Sequence, residues 1–240
     1  MADSSAPSKL IFLFDADNTL LDNDRIIADL NEYLVREVGL DRAQTYWRIF
    51  DDLWDRLGYP DYFGALQQFR TEYPYIFSLI EASSFLIDYP YADRVYPDAL
   101  AVIEHVKRWD PAVILSDGDA VLQPRKVERA GLCEAVNGRV LISVHKELEL
   151  DVVLQRFPAE HYIMVDDKLR ILAAIKKIWG PRVTTVFVRQ GHYALDPMIA
   201  SEYPNADVTI GQIGDLLRCD FQSIQTFEQT SSTTKAKIHK

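Results

Sequence analysis

The stretch "KLIFLFDADNTLLD", residues 9–22, decides the fold. Leu10 to Phe14 is apolar without interruption. That is the pattern of a strand buried on both faces, since a half-exposed strand alternates apolar and polar residues. The run ends in Asp15, Asp17 and Thr19. Carboxylates so close together repel each other, so their place at the end of a buried strand needs a reason. A turn or helix cap is one possibility. A calcium-binding EF-hand loop is not, because a loop starting at Asp15 would need Gly at position 20 and Glu at position 26, where the chain has Leu20 and Ile26.

Working outward, apolar runs recur at "PAVILSD" (111–117), "GRVLIS" (138–143), "HYIMVDD" (161–167) and "VTTVFVR" (183–189). Helical patterns lie between them: "PDALAVIEHVKRW", "QPRKVERAGL", "KELELDVVLQRF" and "KLRILAAIKKIWG". Gly131 and Gly180 stop two of these helices. Strands alternating with helices predict an α/β fold, a doubly wound parallel sheet covered on both faces. Ligands of such sheets bind beyond the carboxyl ends of the strands. Polar residues stand at four predicted ends: Asp15, Asp17 and Thr19; Ser116; Lys146; and Asp166 with Asp167. The sheet would gather them around one crevice.

Residues 23–93 break the rhythm with helical faces and no strand. Ile26, Ile27, Leu30, Tyr33, Leu34 and Val38 form one stripe that Gly39 can end. Trp47, Phe50, Asp51, Trp54 and Leu57 form a second, stopping near Gly58 and Pro60. More than half of the chain's aromatic residues fall between Tyr46 and Tyr96. A small helical bundle needs large side chains for its core, and an aromatic wall facing a substrate is the functional counterpart. The expected organisation is a polar arm (1–8), an α/β core (9–22 and 94–226), a helical insert (23–93) and a polar tail (227–240).

The formal net charge of −10 over 240 residues, with no basic stripe, argues against a nucleic-acid partner. No apolar stretch approaches the roughly 20 residues that span a bilayer, so no membrane partner is expected. The start has no cationic and apolar signal pattern, and Cys133 and Cys219 lack metal-ligand spacing. A cytoplasmic protein, monomer or homodimer, is the expectation.

The ordered set of motifs resembles the haloacid dehalogenase-like hydrolases. "FLFDADNTL" is similar to the family's first motif, "VILSD" to the second, "SVHKELELD" to the lysine-bearing third and "YIMVDD" to the acidic fourth. The insert stands where the family carries a helical cap. The resemblance implies that Asp15 is a nucleophile forming an aspartyl-phosphate and that Asp17 is the acid and base. It implies a Mg2+ ion on Asp15, the Asp17 backbone carbonyl and Asp166. Lys146 would stabilise the phosphoryl charge, and Thr19 and Ser116 would donate to its oxygens. Asp117 falls beside the phosphate site, where it adds negative charge. Asp167 would hold Lys146 or a water, or cap the next helix. Lys126, which also opens a helix after Ser116, is the rival to Lys146, with a solvated place on its helix as the simpler expectation. Asp119 reads as a helix cap, and His145 and His192 are not assigned.

Halide leaves without a proton, and the family's dehalogenases lack the acid that Asp17 provides. The insert contains no lysine for Schiff-base chemistry. The reading is a Mg2+-dependent phosphatase acting on a small phosphorylated metabolite. A phosphomutase, a dehalogenase-like hydrolase and a non-catalytic binding module remain alternatives. Arg25, Arg48 and Arg70 could meet an anionic group, with a solvated place on the surface as the default expectation.

Overall fold

Phe12 and Phe14 pack toward one side of a sheet while Ile11 and Leu13 pack toward the other, in two separate buried clusters. This explains the unbroken apolar run: both faces of the first strand are covered. In the computed structural model, which describes residues 8–75 and 78–219, that strand is β1, Ser8–Phe14. Most of the polar arm, and the whole of the polar tail, lie outside the described residues.

Five further strands complete the sheet: β2 (Ala112–Asp117), β3 (Val140–Ser143), β4 (Ala159–Asp166), β5 (Val183–Val188) and β6 (Val208–Ile210). Their order is β3-β2-β1-β4-β5-β6, and every pairing is parallel. β1 therefore stands between β2 and β4, where the winding reverses, and Asp15 follows its last residue. This is the crevice where a doubly wound sheet binds ligands. The three-residue β6 is too short for a periodic signal and goes unread in the sequence.

The insert after β1 carries α1 (Asn23–Val38), α2 (Leu40–Leu57), α3 (Tyr62–Glu72) and α4 (Ser78–Asp88). Asp22 caps α1 by accepting from the Arg25 N–H at 2.9 Å, and Asp61 caps α3 through the Gly64 N–H at 2.7 Å. Gly58, at φ +79°, ends α2 in the left-handed conformation that a side chain would resist. Tyr46 and Phe69 are buried among these helices, with the Tyr46 hydroxyl donating to the Tyr62 carbonyl. No helix among the described residues is long and apolar enough to cross a membrane.

The remaining helices are α5 (Ala99–Val106), α6 (Leu122–Arg129), α7 (Leu132–Ala135), α8 (Leu150–Arg156), α9 (Leu169–Trp179), α10 (Gly191–Leu195) and α11 (Pro197–Ser201). α5 belongs to the apolar cluster of Phe12 and Phe14, and α9 to that of Ile11 and Leu13. The sequence pattern from Lys146 divides in the structure: a 3-10 turn takes Lys146–Leu148, and α8 starts at Leu150.

Candidate active site

Asp15 continues the ladder by one bond, its N–H donating to the Val165 carbonyl at 3.0 Å. Its side chain therefore projects beyond the sheet end, beside the ends of β2 and β4. Ser116, near the end of β2, donates to Asp15 Oδ1 at 3.3 Å. The Lys146 ammonium, from the turn after β3, lies 2.5 Å from Asp15 Oδ1 and 2.7 Å from Asp166 Oδ2. The four groups come from positions spread over 150 residues, and all are buried. Lys146, not Lys126, is thus the lysine at Asp15.

Asp17 looks elsewhere. Its Oδ2 accepts from Lys126 Nζ at 2.7 Å, and the same ammonium donates to Asn23 Oδ1 at 2.7 Å. The expectation that Lys126 is a solvated helix residue is corrected here, since the residue is 2% exposed. α6 turns Gln123, Lys126 and Val127 inward on one face, so the lysine cannot reach water without leaving its carboxylate.

Asp117 accepts the Lys146 backbone N–H at 2.7 Å, which ties the third strand's turn to the second strand. Its carboxylate is occupied in holding Lys146 in place. Thr19 is buried and its hydroxyl has no partner among the described residues. Asp119 accepts from the Val121 and Leu122 N–H groups at the start of α6, as a cap does. Asp167 does not cap the helix after it: Asp166 Oδ1 takes the Lys168 N–H at 2.8 Å, and both Asp167 oxygens are buried without a hydrogen bond.

Asp15, Asp166 and Asp167 offer carboxylate oxygens within 4.8 Å of one another. Asp15 Oδ2 and both Asp167 oxygens are buried with no donor facing them. Buried carboxylates without donors are costly, and a divalent cation is the group that satisfies several at once. The residues therefore fit a hard metal ion, with Asp167 in the cluster beside the two expected carboxylates.

The profile of the haloacid dehalogenase-like hydrolases matches residues 10–178. The chain belongs to that family. A solved haloacid dehalogenase-like hydrolase from Burkholderia xenovorans LB400 is 58% identical, with a TM-score of 0.86, over 89% of this chain and 100% of that one. The HAD-hydrolase YfnB from Bacillus subtilis, bound to magnesium, is 17% identical at a TM-score of 0.61, covering 88% and 98% of the two chains. An L-2-haloacid dehalogenase from Xanthobacter autotrophicus, with chloropropionic acid covalently bound, is 18% identical at 0.55, covering 88% and 97%. The last two likenesses show the fold alone. No curated protein matches the sequence.

In this haloacid dehalogenase-like hydrolase the electrostatics follow from burial. Burial pulls Lys146 downward, but Asp15, Asp166 and Asp117 together outweigh it and hold the ammonium above the ordinary lysine range. Burial raises Asp117 to about 6, against the opposing pull of Lys146. Asp166 and Asp167 are raised for the same first reason, with Lys146 opposing most at Asp166 and Lys168 at Asp167. All three shifts come first from taking the carboxylates out of water, with the lysines opposing them only in part.

Gln123, which donates to Ser116 Oγ at 3.0 Å, and Asn23 escaped the sequence reading. The available signal was Gln123 and Lys126 three apart on the inward face of α6, polar where the helix should be apolar. His192 meets Asp24, from the first turn of α1, at 2.6 Å, while the Asp24 side chain also accepts from Asn18. His145 packs under Gly58, where an added Cβ would lie 2.6 Å from its ring.

Proposed function

We propose that this chain is a Mg2+-dependent phosphatase acting on a small phosphorylated metabolite through an aspartyl-phosphate on Asp15. The observation that carries the reading is the separation of the two aspartates. Asp15 is held by Lys146 and Ser116, with its second oxygen free of donors, while Asp17 is held apart by Lys126. This separation supports a reading in which one carboxylate attacks and the other moves protons. Displacing a halide would use only the first.

In the first step Asp15 attacks phosphorus, and the bond from phosphorus to the ester oxygen breaks. Asp17 gives its proton to that oxygen, releasing an alcohol. In the second step Asp17 takes a proton from water as the water attacks phosphorus. The bond to Asp15 breaks, and inorganic phosphate leaves. Lys146 offsets the charge on Asp15 and the phosphoryl oxygens throughout, and Ser116 and Thr19 supply neutral donors. A Mg2+ ion on Asp15, Asp166 and the Asp17 carbonyl, with Asp167 beside it, would neutralise carboxylate charge and polarise the phosphoryl group. The insert acts as a cap that shields the site from bulk water and meets the leaving group.

The test is phosphate release from p-nitrophenyl phosphate with Mg2+, alongside chloride release from 2-chloropropionate. Hydrolysis of the ester that stops with EDTA, returns with Mg2+ and is absent in Asp15→Asn is expected. Chloride release without metal, and no phosphate release, would overturn the proposal in favour of a dehalogenase.

A further inference from the structure

The cavity beside Asp15 is about 1180 Å³, far more than a phosphoryl group fills. One wall of it is a single face of α2. Trp47, Phe50, Asp51, Trp54 and Asp55 line it, at the spacing that puts residues on one side of a helix. Phe50 is buried and Trp47 and Trp54 are half-buried, while Asp51 and Asp55 are exposed and open to an incoming group. The rings form an edge-to-face chain, Trp47 to Phe50 at 5.5 Å and Phe50 to Trp54 at 5.8 Å. The Trp47 indole N–H donates to Asn31 Oδ1 at 2.8 Å, which fixes that ring.

The charges of this wall are one-sided. Asp51 and Asp55 line the cavity with no hydrogen bond or ion pair among the described residues. No arginine of the insert lines it. Arg25 pairs with Asp29 at 2.8 Å, and Arg48 pairs with Asp52 and Glu72. Arg25, Arg48 and Arg70 are exposed and are not among the residues that line the cavity. Two cations do line the cavity from the core side, one of them ion-paired and the other held over a ring. Arg170 pairs with Glu147 at 2.7 Å, and Lys168 lies over the Tyr193 ring, with the charge of Asp167 beside it.

From this geometry we infer that the leaving group is a flat aromatic ring carrying amino groups or positive charge, and not one bearing a second phosphate or a carboxylate. The aromatic chain offers ring faces and edges to stack against, and attracts a cation. Asp51 and Asp55 accept N–H donors and repel an anion, so the same wall selects for one class and against the other. The inference rests on the phosphatase reading for its chemistry but on the wall alone for its selectivity.

A matched series tests it: phenyl phosphate, 4-(aminomethyl)phenyl phosphate and 4-carboxyphenyl phosphate, compared by kcat/KM with Mg2+. The aminomethyl ester should exceed the carboxy ester by about tenfold, mostly through KM, as two carboxylates at partly screened range imply. The double variant Asp51→Asn with Asp55→Asn should bring that ratio close to one. A second measurement needs no turnover: quenching of tryptophan fluorescence by 4-hydroxybenzylamine and by 4-hydroxybenzoate, with the amine expected to bind more tightly. Equal or reversed preference in the binding measurement, including no binding by either phenol, overturns the inference. Equal or reversed kcat/KM does the same and leaves the phosphatase reading standing. No phosphate release from any ester, with the amine still preferred in binding, defeats the phosphatase reading alone.

Discussion

Lys126 Nζ lies 2.7 Å from Asp17 Oδ2, a part-buried pair joining α6 to the loop after β1 across more than 100 residues of sequence. The ammonium also holds Asn23, so the carboxylate has a fixed direction. If Asp17 protonates the leaving oxygen, its placement matters most where that oxygen is a poor leaving group. Lys126→Met should lower kcat for an alkyl phosphate by about 100-fold, with a much smaller loss for p-nitrophenyl phosphate. Lys126→Arg should recover part of the difference. Equal losses on both esters would reduce Lys126 to a packing role.

Asp167 is 1% exposed and neither oxygen has a hydrogen bond. A cation there would stabilise the folded protein by mass action. Saturating Mg2+ should raise the melting temperature of the native chain, and Asp167→Asn should cut that rise to half or less. An undiminished rise in the variant would remove Asp167 from the metal cluster.

Asp117 brings a pH dependence with a definite sign. Burial raises its carboxyl from 3.8 to about 6. Between those values the folded chain holds a proton that the unfolded chain has released, so stability falls as pH rises through the window. The full effect is at most about 3 kcal/mol. In metal-free protein, Asp117→Asn should gain melting temperature relative to the native chain as pH rises from about 4 to about 6, then level off. A difference that stays constant with pH would refute this account of Asp117.

Gly191, at φ +72°, opens α10 against the loop after β1, where an added Cβ would lie 2.5 Å from the Asn18 side chain. Asn18 itself holds a left-handed φ of 58° and bonds Asp24. Gly191→Ala should therefore cost about 2 kcal/mol in urea unfolding and lower activity by displacing the loop that carries Asp17. Unchanged stability and turnover would show that the loop absorbs the clash.

The polar residues at the strand ends were legible because they are local: an apolar run stops, and a charged or hydroxyl residue follows. Asp15, Ser116, Lys146 and Asp166 could be read this way. Lys126 could not, because its own segment looks like an ordinary solvated helix opening until the sheet brings Asp17 against it. The second stripe in the insert was legible as a stripe, but not in what it faces. Trp47, Phe50, Asp51 and Trp54 line the cavity, whereas Tyr46 and Phe69 fill the core between the helices. The insert's aromatics thus divide between the lining of the cavity and the core between the helices.

By itself, the sequence determined the alternation of buried strands and helices, the helical insert after the first strand and the motif residues at the strand ends. Periodicity and chain breaks are set within a few residues, so they survive in one dimension. Only the tertiary structure decided the order β3-β2-β1-β4-β5-β6, the pairing of each lysine with its aspartate, the donorless burial of Asp167 and the acidic, aromatic wall of the cavity. Those depend on which distant segments the sheet places side by side, and a carboxylate's partner is chosen by that neighbourhood rather than by its neighbours along the chain.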